Sequence, residues 1–152
     1  MTVETIRIRN SIAFTLPDFK TFMLDVLGSN RMIKDPEIAL NELAAMVHKD
    51  RLGLFVVKDG EQWTGAVIVQ LSETAFNPAC IVIHLYCKGA GAETRAELVQ
   101  AMYNFATEGG YNDIIAIDAN NKPQAFAKLF SALGETSILG CVFRFDLRES
   151  LL

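Results

Sequence analysis

Residues 79–95 read Ala-Cys-Ile-Val-Ile-His-Leu-Tyr-Cys-Lys-Gly-Ala-Gly-Ala-Glu-Thr-Arg, and the fold turns on the elements that this stretch and its C-terminal neighbours form. Ala79 to Cys87 is apolar enough for a buried strand. Lys88 to Ala92 is glycine-rich, a turn that opens a helix. Ala96 to Thr107 then carries Leu98, Val99, Met102, Phe105 and Ala106 at helical spacing, and Gly109-Gly110 stops it. Asp113 to Asp118 is a second short apolar strand, Ile114-Ile115-Ala116-Ile117 at its centre. Strand, helix and strand in this order predict a parallel pair with a right-handed crossover.

Upstream, Thr2 to Arg9 reads as an edge strand. Thr15 with Asp18 is a capping-box variant and Pro17 suits a first helical turn. Leu16, Phe19, Met23, Val26 and Leu27 fall on one stripe that Gly28 ends. Asp35-Pro36-Glu37 starts a second helix with Leu40, Leu43, Ala44 and Val47 inward. Leu52 to Lys58 and Trp63 to Leu71 flank the hairpin signal Asp59-Gly60 and should pair antiparallel. Downstream, Asn121 and Pro123 open a last helix, with Phe126, Leu129, Phe130 and Leu133 inward, and Ile138 to Leu147 closes the chain as a strand. The expected architecture is an α/β mixed sheet with helices on both faces, in one domain spanning residues 1–152.

The totals agree with a globular domain. The chain has 152 residues, 51% of them hydrophobic, and a net charge of −4. That excludes a disordered chain, and no apolar run reaches membrane-spanning length. The acidic balance argues against sequence-independent nucleic-acid binding, which needs clustered Lys and Arg. No secretory h-region opens the sequence, so a cytoplasmic location is expected, with no nucleic-acid or membrane partner. Cys80, Cys87 and Cys141 read as reduced, buried or half-buried thiols, too few with two histidines to suggest a metal site.

A glycine-rich turn at a helix start presents unpaired N–H groups and the positive end of the helix dipole, a site suited to phosphate. Lys88 and Arg95 bracket it. It is neither a Walker loop nor GxGxxG, and a plain strand-to-helix turn explains the glycines equally well. The element order and this loop together resemble the GNAT superfamily of acetyl-CoA-dependent N-acetyltransferases. In that family a strand splayed from its neighbour lines the pantetheine arm, and a loop of the form Arg/Gln-x-x-Gly-x-Gly/Ala wraps the pyrophosphate. Lys88-Gly89-Ala90-Gly91 resembles its first four positions with Lys for Arg, and Glu93 stands where Gly or Ala is expected. A second register runs from Gly89 to Thr94, with Ala92 and Thr94 as the small residues. Asn121, Ala125, Phe126, Phe130 and Gly134 are similar to a downstream segment of the family.

The resemblance implies acetyl-CoA as donor and a small-molecule or protein amine as acceptor, with a homodimer among the expected assemblies. Leu85, Tyr86, Cys87, Lys88, Gly89, Ala90, Gly91, Ala92, Glu93, Thr94 and Arg95 would hold the donor, with Asn121 and Lys128 from the last helix. His84 lies within the strand, expected on the same face as Cys80, Val82 and Tyr86, with Ile81, Ile83, Leu85 and Cys87 opposite. It is a candidate base, and equally a hydrogen-bonded core or cleft histidine. Glu73 is the next candidate, acting through water. Phe130 stands where many members carry the tyrosine that protonates the departing thiolate, which leaves Tyr86, Ser131 or water for that step. The loop Ser29 to Asp35 is the expected acceptor wall and has no acidic cluster suited to a polyamine. A second reading is a non-catalytic acyl-CoA-binding or protein-interaction module of GNAT type, similar to forms carried by phages.

Overall fold

A computed structural model describes residues 3–73, 78–89 and 91–116, together with residues 124, 127, 128 and 131. Among the described residues, five strands form one sheet in sequence order: β1 (Val3–Arg7), β2 (Leu52–Asp59), β3 (Gln62–Ser72), β4 (Ala79–Cys87) and β5 (Ile114–Ala116). The first four are antiparallel neighbours, and β4 and β5 are parallel, paired from Cys80↔Ile114 to Val82↔Ala116. That parallel pair, bridged by α3 (Ala92–Glu108), is the arrangement the sequence predicts. β1 is the edge strand.

Helices cover both faces. α1 (Pro17–Gly28) and α2 (Pro36–Met46) pack on Leu52, Leu54, Val56, Ala66 and Ile68. On the other face, α3 sets Leu98, Val99, Met102, Phe105 and Ala106 against Val57, Val67, Val69, Leu71, Cys80 and Val82. Asp35 caps α2 as expected, its Oδ1 accepting the N–H groups of Glu37 and Ile38. α1 begins differently from the expectation. Ser11–Thr15 is a short 3-10 helix in which Thr15 Oγ1 donates to Ile12 O, so Thr15 is not available as a cap. Leu16 is exposed, and Phe22 takes its place in the buried stripe. Among the described residues, no helix is long and apolar enough to cross a membrane.

Gly65 lets α3 lie close to β3: a Cβ there would meet Thr94 Cγ2 at 2.6 Å and Leu98 Cδ1 at 2.9 Å. The helix therefore starts over the Gly65↔Cys87 end of the sheet. It ends near Leu71, which a Cβ on Gly109 would touch. α3 thus runs antiparallel to β4 and delivers its N-terminus to the end of that strand.

Candidate active site

β4 changes character at Ile83. The register against β3 shifts between Ile68↔His84 and Val69↔Val82, so one residue of β4 is inserted there. Cys80 and Val82 face α3, whereas Ile83 and Tyr86 pack with the α1 cluster, as His84 does opposite Ile68. The expected alternation is thereby corrected: His84 and Tyr86 lie on the opposite face from Cys80 and Val82, and Leu85 and Cys87 pack on the α3 side. The described pairing with β5 ends at Val82, so the edge of Ile83 to Cys87 on that side continues without a described strand.

Beyond Cys87 the chain turns. The Lys88 N–H donates to Thr64 O (2.7 Å) and its side chain is exposed. Gly89 sits at φ +77°, a conformation that glycine adopts without strain. Ala90 lies outside the described residues. Gly91 is the N-cap of α3 with no side-chain cap, so the first N–H groups of the helix, at Ala92, Glu93 and Thr94, have no helical partner. The helix starts one turn before its expected position. Among the described residues, a Cβ on Gly91 would meet Thr94 alone, Oγ1 at 3.4 Å, so none of them closes its outer side. Arg95 is half-buried beside Cys87 and opposes the rise that burial imposes on that thiol's pKa. Cys80, fully buried, is pushed up to about 11. Both thiols are free, as the sequence suggests.

The side chain of Thr94 is not part of this open surface. It is buried, donating from Oγ1 to Thr64 Oγ1 (3.0 Å), which donates to Val57 O (3.3 Å). Thr94 therefore offers its backbone only. Glu93 is exposed in the first turn, where its charge suits the dipole and opposes an incoming anion.

On the α1 face, Tyr86 is half-buried, edge-on to Phe22 (6.0 Å between centroids), and Phe22 stacks with Trp63 at 6.2 Å. His84 is 4% exposed. Its Nε2 lies 2.8 Å from Val26 O and 3.0 Å from Ser29 Oγ, and burial holds its pKa below the ordinary value. It is therefore neutral at neutral pH.

No family model and no curated protein matches the sequence. Solved structures do match. An aminoglycoside acetyltransferase from an uncultured soil metagenomic sample superposes with a TM-score of 0.69 at 16% identity, over 96% of this chain and 97% of that one. An aminoglycoside N-acetyltransferase in complex with a CoA-based bisubstrate analogue gives 0.73 at 11% identity, over 97% and 100%. Glucosamine-6-phosphate N-acetyltransferase from Arabidopsis thaliana gives 0.67 at 11%, over 96% and 100%. The chain has the GNAT fold.

Within the GNAT frame, the residues named from sequence separate into three places. Leu85 to Arg95 form one continuous stretch along the β4 end and the start of α3, and His84 stands at its beginning. Glu73 is elsewhere. It follows β3 at the opposite end of the ladder, seven pairings or about 23 Å from the Cys87 end. There its Oε1 accepts from Tyr111 OH (3.2 Å) and lies 3.7 Å from Arg51 Nη1. Glu73 thus stands at the end of the sheet away from the Gly89 turn, held by Tyr111 and Arg51. Lys128 is helical and exposed, Ser131 is exposed with Oγ donating to Lys128 O (2.7 Å), and Asn121 and Phe130 lie outside the described residues. The participants that sequence reading misses are Ser29, Val26 and Thr64, which act through single hydrogen bonds that only the folded chain brings together. A cavity of about 430 Å³ between β1 and α3, lined by Arg7, Phe55, Gln100 and Phe105, belongs to the far edge of the sheet.

Proposed function

We propose that this protein is an acetyl-CoA-dependent N-acetyltransferase that moves the acetyl group directly to a primary amine. One observation carries the reading. The uncapped first turn of α3 is delivered to the end of β4, with the N–H groups of Ala92 to Thr94 free of helical partners and Arg95 beside Cys87, a site suited to a pyrophosphate. The likeness to CoA-bound N-acetyltransferases supports the same choice.

When bound, the donor supplies an activated thioester carbonyl. The chain's own contributions are backbone donors at Ala92 to Thr94 and the guanidinium of Arg95 for phosphate charge. The edge of Ile83 to Cys87 would orient the arm, and the packed α1 cluster backs that strand on one face. Transfer then needs an unprotonated amine and a proton for the leaving thiolate. Tyr86 and water are the candidate donors, the Ser131 hydroxyl hydrogen being held by Lys128 O. The acceptor belongs on the side of α1 and of the loop Ser29 to Asp35, which carries Arg31 and Lys34 rather than an acidic cluster. We place the enzyme in the cytoplasm, with a small-molecule or protein amine as acceptor and a homodimer as its expected assembly.

The second reading, a GNAT-type module that binds acyl-CoA without transfer, is favoured by the hydrogen bonds that occupy His84 and by Glu93 at the cradle. Calorimetry with acetyl-CoA, followed by thiol release on a panel of amines, separates the two. Binding with amine-dependent thiol release supports the transferase, binding alone supports the module, and no binding removes both.

A further inference from the structure

α1 ends with its backbone bonds displaced around one carbonyl. The Ser29 N–H donates to Asp25 O (3.1 Å) and the Asn30 N–H to Leu27 O (3.2 Å), so the amide that would continue the helix onto Val26 O is used elsewhere. Two side chains serve Val26 O instead, Ser29 Oγ at 2.7 Å and His84 Nε2 at 2.8 Å. A carbonyl only accepts, so Nε2 carries the ring proton, and Ser29 Oγ, 3.0 Å from Nε2, is its second acceptor. This arrangement takes two roles away from the site. Nε2, the nitrogen turned toward α1, is not free to receive a proton and leaves Nδ1 as the ring's one lone pair, and Ser29, whose own hydrogen faces a carbonyl, is not an activated nucleophile.

We propose that His84 is a positioning residue: a neutral Nε2–H donor that closes the end of α1 and thereby holds the loop Ser29 to Asp35 at a fixed distance from the C-terminal end of β4. The inserted residue at Ile83 is what turns the imidazole toward α1, directly after the bulge. The acceptor wall and the donor track are thus joined by the two bonds of one buried ring. This role rests on the transferase reading, and the amine then loses its proton to solvent rather than to the imidazole.

The test compares His84→Gln, His84→Ala and Ser29→Ala in the full chain. Glutamine places an amide N–H donor at the reach of Nε2 but is no base at any working pH. The expected result is that His84→Ala raises the acceptor KM by about tenfold or more through misplacement of the wall. The acetyl-CoA dissociation constant stays near that of the parent, and His84→Gln restores most of the loss. The acid limb of kcat/KM should follow the pKa of the amine used and persist in His84→Gln. If instead His84→Gln loses roughly 10²–10⁴ in kcat together with the acid limb, the ring is a base and the proposal is overturned. Should His84→Ala fail to fold, Ser29→Ala carries the comparison: a higher acceptor KM with kcat kept supports the latch, and unchanged kinetics overturn it. Amide exchange over residues 29–35 reads the latch without turnover. Protection lost in His84→Ala and kept in His84→Gln supports it, and equal protection in both overturns it. If the parent acetylates no amine, the transferase reading fails, while the exchange experiment still decides the latch.

Discussion

Burial of His84 lowers its pKa below 6.5, and the bond to Val26 offsets only part of that shift. The unfolded chain therefore takes up this proton at higher pH than the folded one, so the stability tied to the neutral ring is complete above 6.5 and is lost as pH falls through and below it. Urea midpoints measured from neutral to mildly acid pH should decline, and His84→Gln should remove this component of the slope. Parallel slopes in parent and variant would take His84 out of the acid response. The two loop glycines divide in a related way. Gly89, at φ +77°, should lose about 1 kcal/mol of stability as Gly89→Ala. Gly91 has φ −63°, so Gly91→Val should leave folding intact yet weaken CoA binding, because the added branch fills the open side of the cradle. An unchanged calorimetric affinity would take Gly91 out of the site. At this scale the sequence is legible where a residue acts through its own backbone, as at Gly89. It is not legible where an inserted residue changes the face: nothing in Ile-Val-Ile-His announces the bulge that swings His84 toward α1.

α3 is the element that joins core to site. Its apolar residues from Leu98 onward make the helix visible in the sequence, whereas the first turn, Ala92 to Arg95, has no apolar stripe to mark it as helical. That turn is held by Thr94 on Thr64 and by contact over Gly65. A Cβ at Gly65 would also lie 3.1 Å from Tyr86 O, a backbone atom with little room to yield. Gly65→Ala should therefore destabilise by about 1–3 kcal/mol and weaken CoA binding in step, since the start of α3 must lift. Denaturant unfolding with calorimetry on one preparation checks both; loss of stability at full affinity would uncouple the helix start from the cradle. Glu93→Gln should act in the opposite sense. Removing a charge from the first turn weakens the helix by about 0.3–1 kcal/mol and strengthens anion binding there by a similar amount. Glu73 shows the limit of reading elements singly. The sequence places it at the end of β3, but the antiparallel ladder puts that end opposite the loop, where Arg51 and Tyr111 receive it.

For the molecule as a whole, the strand order and the parallel β4–β5 pair emerge from local signals because each element carries its own period and its own stop. The closing strand expected over Ile138 to Leu147, and the helix from Asn121, lie beyond the contiguous described residues and add nothing to that agreement. The arrangement makes one prediction that involves both halves of the track. A ligand that binds only the folded chain raises its stability by about 2.7 kcal/mol at a hundredfold excess over its dissociation constant. For a chain of this size that is a rise in Tm of roughly 5–10 °C. CoA should produce it, and the Gly91→Val chain should need a higher CoA concentration for the same rise. The nucleotide end alone, 3′-phospho-ADP, should retain part of the shift because it reaches the α3 start and Arg95. Pantetheine alone should give less, since the strand edge holds it through neutral hydrogen bonds. Raising salt should shrink the nucleotide shift more than the pantetheine shift, because only the former rests on charge. A pantetheine shift equal to that of CoA, indifferent to Gly91→Val, would move the ligand off the α3 start and leave the strand edge as its sole anchor.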